Sequence, residues 1–172
     1  MKKTLQFTIA SLILVTACTT VPLTNRKQVT GVYSSAQVIQ MSTDAYKQVL
    51  DSVPLSTNQD QVVQIKRVGT KIKDAVEKYM LDSGYNEVLE GFDWQFNLID
   101  NDTMVNAWAM PGGKVAFYSG ILPVCKDDLG IAVVMGHEVA HAIAKHGQER
   151  MSQVAIQQYG MAIGGAAMGV DP

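Results

Sequence analysis

Two histidines four residues apart, with a glutamate between them, form the part of the sequence best suited to chemistry. The string is His137-Glu138-Val139-Ala140-His141, and it lies inside an apolar run with helical spacing. On a helix, positions i and i+4 lie one turn apart on the same face, so both imidazoles can reach one metal ion. Two nitrogens are half of a tetrahedral zinc shell, and a catalytic zinc site also needs a third protein ligand and a water.

Glu138 has the position of a general base. It lies about 100° round the helix from His137, close enough to reach a metal-bound water without binding the metal. Zinc lowers the pKa of such a water to about 7, and a carboxylate can then pass the proton to the leaving amine. The motif therefore predicts zinc-dependent hydrolysis of a peptide bond. The alternative, two surface histidines spaced by chance, is disfavoured because all three histidines of the chain lie between 137 and 146.

The helix that holds these residues is predicted over about 128–146. Asp127 or Asp128 is suited to the N-cap, and Gly147 is suited to a C-terminal stop. Apolar residues precede the motif and run through it, which is typical of a largely buried helix. They are Ile131, Val133, Val134, Met135, Val139, Ala140, Ile143 and Ala144.

The rest of the body predicts two helices, then three short strands, then the metal-binding helix and one more helix. The strands alternate apolar with polar residues and are separated by turn residues. The helices are expected at 36–50, 59–80 and 148–168, and the strands at 94–99, 105–110 and 114–118. The fold class predicted is α+β, mostly helical, with a small antiparallel sheet next to the helix of His137 and His141.

The second strand is predicted to be the substrate-binding edge of that sheet. It runs into Pro111-Gly112-Gly113, and proline belongs at an edge or a strand end, while glycines permit close backbone approach. An extended peptide can add to such an edge through backbone hydrogen bonds. The alternative is that Trp108 and Met110 pack the core and that Pro-Gly-Gly is only a hairpin turn. The predicted substrate-binding residues are Asn106, Ala107, Trp108, Ala109 and Met110, with Asn106 near the scissile carbonyl.

The first 17 residues have the features of an export signal. Two lysines precede an apolar stretch from Leu5 to Val15 that is too short to span a bilayer. The stretch ends in Val15-Thr16-Ala17-Cys18, which resembles a bacterial lipobox, so Cys18 is predicted to be the lipidated first residue of the mature chain. By resemblance to lipoprotein sorting rules, Thr19 favours the outer membrane. The alternative is an ordinary secretory signal that leaves Cys18 free.

Charge and cysteine content exclude two classes of protein. Residues 1–17 carry two lysines and no acid, so their removal changes the net charge from −2 to −4, and no basic nucleic-acid-binding surface is indicated. With Cys18 lipidated, only Cys125 remains, so no intramolecular disulfide is expected. Cys125 is predicted to pack as a small apolar residue and not to act as a nucleophile. The predicted organisation is a signal over 1–17, a polar tether over 18–34 and one domain over 35–172.

These motifs occur in an order that resembles one protein family. In sequence they are the lipobox, the strand over 94–100, the string Asn106-Ala107-Trp108-Ala109-Met110-Pro111-Gly112-Gly113, the string Ser119-Gly120-Ile121-Leu122, and His137–His141 followed by Lys145-His146. Together they resemble the HtpX/Oma-type zinc metallopeptidases, metallopeptidase family forty-eight, and within it the periplasmic lipoprotein members, the BepA- and LoiP-like proteases. The resemblance implies a zincin-like fold, one zinc ion bound by His137 and His141, and Glu138 as general base.

The resemblance also implies a third ligand, a Glu on a later helix several tens of residues after the motif. Glu149 is too close to the end of the metal-binding helix, Asp171 does not match the family's pattern, and His146 points well off the ligand face. None of these is assigned as the ligand. We therefore expect the domain to be incomplete at its C-terminus. A degenerate member of the family is the alternative.

The predicted function is that of a zinc-dependent endopeptidase in the bacterial cell envelope, an outer-membrane lipoprotein that faces the periplasm and cuts misfolded or stalled envelope proteins. Its expected partners are a polypeptide substrate, the membrane through the lipid at Cys18 and, as a candidate, the outer-membrane assembly machinery; nucleic acid is not among them. The alternative is a non-catalytic or chaperone-like lipoprotein on a zincin scaffold, because two histidines alone should bind zinc weakly.

Overall fold

A computed structural model describes residues 18–21 and 27–168 of the 172-residue chain. The described residues belong to two compact units, one formed by the chain up to Ser35 together with the chain from Lys145 onward, the other by residues 36–144. The predicted signal, residues 1–17, lies outside the described residues. Within the described residues, no helix combines the length and the apolar character that a bilayer crossing requires.

In chain order the elements are β1 (Cys18–Thr20), β2 (Lys27–Val29), α1 (Ser35–Ser52), α2 (Gln59–Asp82), β3 (Gln95–Ile99), β4 (Ala107–Met110), β5 (Lys114–Tyr118), α3 (Leu122–Cys125), α4 (Asp128–Ile143) and α5 (His146–Met168). Single 3-10 turns occupy Asn86–Leu89 and Ser119–Ile121.

The first unit combines a two-stranded sheet with α5. β1 and β2 pair antiparallel, with Cys18 opposite Val29, so part of the predicted tether, residues 18–34, is paired as strands. Gln148, in the first turn of α5, donates from Nε2 to the carbonyl oxygens of Thr30 (3.2 Å) and Tyr33 (2.8 Å). Two carbonyls of the segment after β2 are thereby satisfied by one buried side chain.

The second unit is built on a three-stranded sheet in the order β3-β5-β4. β4 and β5 pair antiparallel, but β3 and β5 pair parallel, with Gln95 opposite Lys114 and Ile99 opposite Tyr118. The α+β class is confirmed, whereas the expectation of an all-antiparallel sheet was wrong. Strand alternation fixes which face each side chain takes but not the direction of pairing. Here β4 lies within the connection from β3 to β5, on the far side of β5.

The sheet buries side chains on both faces. On one face, Leu98, Ala107, Val115 and Phe117 pack with apolar residues of α2 and α4, among them Ile65, Val68, Ile131, Met135 and Val139. On the other face, Ile99 and Ala116 pack with Tyr46 of α1. The sheet is therefore a central layer, with α2 and α4 on one side and α1 on the other. Burial of each large apolar side chain contributes roughly 1.5–3 kcal/mol.

The helix of the metal motif differs from its prediction in two respects. It ends at Ile143, because Lys145 takes a left-handed φ of 57°, and Gly147 lies in the first turn of α5 instead of stopping α4. A non-glycine residue in that conformation is uncommon and leaves no sequence signal. The helix is also less buried than expected, since Leu129 and Val133 are 73% and 65% exposed. The buried stripe is Ile131, Met135, Val139, Ala142 and Ile143.

Candidate metal centre

The first turn of α4 is fixed by local contacts. Asp127 is the N-cap, and its Oδ1 accepts the Gly130 N–H at 3.0 Å, which confirms one of the two predicted caps. A Cβ at Gly130 would collide with the carbonyl oxygen of Cys125. Only glycine therefore permits this close turn from α3 into α4.

A second contact fixes α4 against α2. Asp128 accepts hydrogen bonds from Gln64 Nε2 at 2.9 Å and from Arg67 Nη2 at 2.8 Å. The bond from Gln64, and then the bond and charge of Arg67, hold the pKa of Asp128 below its usual range. A carboxylate in the first turn also interacts favourably with the positive end of the helix dipole. These contacts orient the helix that carries the histidines.

The two histidines converge as the motif predicts. Their Nε2 atoms are 3.0 Å apart, and their ring centroids are 4.5 Å apart at an interplanar angle of 86°. Two imidazole nitrogens bound to a tetrahedral zinc at about 2.0–2.1 Å would stand roughly 3.3 Å apart. The observed separation differs from that value by only a few tenths of an ångström, so His137 and His141 fit one zinc ion. Both side chains are exposed.

Glu138 follows His137 and is half-buried, beside the exposed face that carries the histidines. Its role as a general base stays a prediction. Cys125 is buried and unpaired, and burial raises the pKa of its thiol. A protonated thiol is a poor nucleophile. The expectation that Cys125 packs as a small apolar residue is therefore confirmed.

A third ligand is not found in the part of the chain that the structure describes. Within residues 18–21 and 27–168, no cluster of three His, Cys, Asp or Glu side chains could hold a metal ion. His146 and Glu149 begin α5, in the first unit, and Asp171 lies outside the described residues. The residues predicted to bind a metal, His137 and His141, are therefore brought together on α4 as a pair, and their role as ligands stays a prediction.

The predicted substrate edge is an edge strand of the sheet, beside α4. The Tyr118 N–H donates to the Asn106 carbonyl at 3.1 Å, in register with the ladder of β4 and β5. Because bonded and non-bonded pairs alternate in antiparallel strands, the backbone groups of Trp108 and Met110 face β5, and those of Ala107 and Ala109 face outward. The Asn106 side chain accepts the Ala107 N–H at 2.9 Å. The Ala109 N–H meets no acceptor among the described residues.

The side chains of β4 divide between the two faces of the sheet. Ala107 and Ala109 face the side where α4 packs, whereas Trp108 and Met110 pack against the cluster of Tyr46. The rings of Trp108 and Tyr46 meet edge-on, with centroids 5.5 Å apart. The alternative interpretation thus applies to the side chains of Trp108 and Met110. Apart from the Ala107 N–H, the outward backbone groups of β4 meet no partner among residues 18–21 and 27–168. The cap from Asn106 leaves no signal in the sequence, because it depends on the register of β4 and β5.

The Pro-Gly-Gly turn is fixed by the segment before β3. Gly112 and Gly113 have φ values of 84° and 80°, which favour glycine, and their carbonyls accept the N–H groups of Asp93 and Gln95, both at 2.9 Å. Lys114, whose side chain is 1% exposed, donates to the Asp93 carboxylate and carbonyl at 2.5 and 2.6 Å. That contact lowers the pKa of Asp93. The turn therefore has a structural role beside the edge strand.

Comparison with known proteins identifies the family. The model of "Peptidase family M48" matches residues 67–171, which include β3 to β5, the Pro-Gly-Gly turn and the paired histidines. The chain belongs to peptidase family M48. The family resemblance inferred from the sequence motifs is therefore confirmed for peptidase family M48.

Several relatives carry the name metalloendopeptidase. The chain is 39% identical over 95 residues to "Mitochondrial metalloendopeptidase OMA1" of Saccharomyces cerevisiae, a match that covers 55% of this chain and 27% of that protein. It is 31% identical over 135 residues to the protein of the same name from Schizosaccharomyces pombe, covering 77% of this chain and 36% of that one. The Arabidopsis thaliana protein is 42% identical over 65 residues, 38% and 13% of the two chains. The chain spans about a quarter to a third of the two yeast relatives.

Proposed function

We propose that this M48 member is a zinc-dependent endopeptidase. The observation that carries the proposal is the convergence of the His137 and His141 Nε2 atoms to 3.0 Å, with Glu138 between them in the sequence and an edge strand beside the same helix. The metalloendopeptidase names of the relatives support the same activity. They say nothing of which polypeptide this chain cuts.

In the proposed reaction, different residues bind the peptide, hold the zinc ion and transfer the proton. The outward N–H and C=O of Ala109 and the outward C=O of Ala107 hold an extended peptide by backbone hydrogen bonds. A zinc ion held by His137 and His141 would polarise the scissile carbonyl and acidify a bound water. Glu138 takes the proton from the water as its oxygen attacks the carbonyl carbon. Glu138 then delivers that proton to the amine nitrogen as the C–N bond breaks, so the products are a carboxylate and an amine.

The deciding experiment compares casein cleavage by the parent protein and by Glu138→Gln. Loss of a general base should lower kcat by about 10²–10⁴-fold, and a chelator should abolish cleavage until zinc is restored. Glu90→Gln, an exposed position on another part of the second unit, is the matched control and should cut at the parent rate. Glu138→Gln should keep its bound zinc, whereas His137→Ala should lose it. Cleavage that persists in Glu138→Gln excludes this mechanism.

We also propose a location and a biological role. The segment before Cys18 and the lipobox support an outer-membrane lipoprotein of the bacterial envelope that faces the periplasm, where it would remove misfolded or stalled envelope proteins, including clients of the outer-membrane assembly machinery. The relatives, in contrast, are named as mitochondrial proteins. Expression of the parent and of Cys18→Ser in a bacterium with radiolabelled palmitate tests the anchor. Label and membrane fractionation should be lost in Cys18→Ser. Equal labelling of both proteins rules out the lipid at Cys18.

A non-catalytic lipoprotein on the same scaffold is the competing outcome. Folded, zinc-loaded protein that binds casein but does not cut it would favour that reading, and the Glu138→Gln variant would then bind casein as the parent does.

A further inference from the structure

The first half of β3 is a second edge of the sheet. The Gln95 N–H donates to the Gly113 carbonyl at 2.9 Å, so the backbone groups of Gln95, Asn97 and Ile99 face β5. In a parallel pair, the residues between them face away from the partner strand. The N–H and C=O of Phe96 and the N–H of Leu98 therefore face outward and meet no partner among the described residues.

The same edge already accepts an extended segment further along. The Ser56 N–H donates to the Leu98 carbonyl, and the Asp100 N–H donates to the Pro54 carbonyl, both at 2.9 Å. Leu55 and Ile99 form an isolated antiparallel bridge between these two bonds. The backbone geometry of the edge is thus suited to strand addition, and the short segment ends before it reaches Phe96.

A groove of about 640 Å³ runs beside this half of β3, between the strand and α2. Its floor is a row of half-buried aromatic rings from alternate positions, Phe92, Trp94 and Phe96. The rings of Phe92 and Trp94 are 5.2 Å apart, and those of Trp94 and Phe96 are stacked at 6.2 Å with an interplanar angle of 13°. A row of half-buried rings next to unpaired backbone groups suits an apolar or aromatic side chain on an added strand.

The wall of the groove is a stripe of α2 that carries charge. Lys73 pairs with Glu77 at 3.1 Å, and Glu77 accepts the Trp94 Nε1–H at 3.0 Å. Lys66, two turns earlier on the same wall, forms no salt bridge with any of the described residues. The wall therefore offers one cation, Lys66, for a ligand carboxylate.

We propose that the β3 edge and this groove bind an extended polypeptide as an added strand, with an apolar or aromatic side chain on the ring of Trp94 and an acidic side chain against Lys66. A polypeptide is the ligand that fits, because only a peptide backbone supplies donors and acceptors at the spacing of Phe96 and Leu98. The site needs neither His137 nor Glu138. It is therefore a second binding surface, separate in its chemistry from the proposed hydrolysis, and it can be tested whether or not the chain cuts peptides.

The first test measures strand addition directly. The probe is a fluorescein-labelled heptapeptide of alternating threonine and phenylalanine with one central glutamate, titrated with the full-length Glu138→Gln protein and followed by fluorescence polarisation. Two further probes carry N-methyl groups on alternate amides, in either of the two registers. Methylation in one register should weaken binding at least tenfold, and methylation in the other should leave it unchanged, because only alternate amides of an added strand face β3. Equal affinity of both methylated probes overturns the proposal.

The second test assigns the binding to β3. Lys66→Glu should weaken binding of the unmethylated probe about fivefold at low ionic strength. Lys47→Glu on α1 has the same charge change at an exposed position and should bind within twofold of the parent. Both variants leave β4 unchanged, so a probe bound at the β4 edge would bind the two with equal affinity. Equal affinity of Lys66→Glu and Lys47→Glu for the probe overturns the assignment to β3.

Discussion

The two edge strands of the central sheet, β3 and β4, differ in strand direction, in the elements beside them and in the side chains they carry. β4 is antiparallel to β5, lies beside the helix of the paired histidines and has small side chains, Ala107 and Ala109, on the helix side. β3 is parallel to β5, is partly covered by the Leu55 segment and faces a groove with aromatic rings. Among the described residues, both edges leave backbone donors and acceptors unpaired, which proteins usually avoid because such edges aggregate. The proposals above assign an extended polypeptide to each of these two edges.

The two edges also differ in which part of a bound peptide they would contact, its backbone at β4 and its side chains at β3. The edge beside the metal pair offers little side-chain contact, because Ala107 and Ala109 are small, so binding there would depend on the backbone and tolerate many sequences. The edge beside α2 offers rings and a cation, so binding there would depend on side chains. We expect changes at β4 to affect turnover of all peptides, and changes beside β3 to affect which peptides bind.

The largest expected effect concerns Tyr46, which touches both edges. Its hydroxyl donates to the Val115 carbonyl at 2.6 Å and accepts from Asn97 Nδ2 of β3 at 3.0 Å, and its ring meets Trp108 of β4. Burial raises the pKa of Tyr46 to about 12, against a small opposing effect of the hydrogen bond from Asn97. The neutral phenol is thus favoured in the folded state.

The free energy of unfolding should fall as the pH rises above 10, because the pKa of Tyr46 is higher in the folded state than in the unfolded state. Below pH 10 the phenol is neutral in both states, and its contribution to stability is fully present. Between pH 10 and about 12 only the unfolded state loses the proton, so the free energy of unfolding should fall by up to about 2–3 kcal/mol. Urea titrations at pH 8, 10, 11 and 12 would measure it. Tyr46→Phe should lose about 1 kcal/mol at pH 8 and fall less steeply above pH 10. Parallel pH profiles of parent and variant would contradict this account.

The second prediction concerns a substitution, Ala109→Pro, that changes the β4 edge and leaves β3 unchanged. Ala109→Pro removes an outward N–H but no bond of the sheet, so the free energy of unfolding should change by less than about 1 kcal/mol. The KM for peptide cleavage should rise about tenfold, because one backbone hydrogen bond to substrate is lost. Ala109→Ser keeps the N–H at a similar size and should retain the parent KM. A parent-like KM in Ala109→Pro, or an equal rise in Ala109→Ser, means that β4 does not hold the substrate.

The site could be predicted from sequence where the chemistry depends on local spacing. His137 and His141 meet because the helix repeat brings positions i and i+4 together, and no distant part of the chain is needed for that. The cap at Asp127, the start of α2 at Gln59 and the bounds of β5 are local in the same sense. The predicted bounds of these elements agree with the observed ones within two residues wherever a cap or a turn residue marks the end of the element.

The parts that could not be predicted depend on contacts distant in sequence. The parallel pairing of β3 with β5 is decided by how the chain between them crosses the sheet, and alternation of side chains is the same in either direction. The exposure of Val133 was missed because its apolar type suggests burial, whereas the buried stripe is set by where α2 and the sheet stand. The end of α4 was missed because Lys145, not a glycine, takes the left-handed φ.

The smallest expected effect concerns one glycine in each of the two helices beside these edges, Gly136 in α4 and Gly69 in α2. Gly136 lies in α4 directly before His137, and a Cβ added there would meet no atom within 4 Å. Gly69 lies in α2 against β3, and a Cβ there would collide with the ring of Phe96. Because glycine in a helix interior costs about 0.5–1 kcal/mol relative to alanine, Gly136→Ala should raise the free energy of unfolding by that amount. Gly69→Ala should instead lower it by about 1–2 kcal/mol and weaken probe binding at β3. Urea denaturation of both variants separates the cases. Destabilisation by Gly136→Ala would show that the space beside Gly136 is filled in the folded protein.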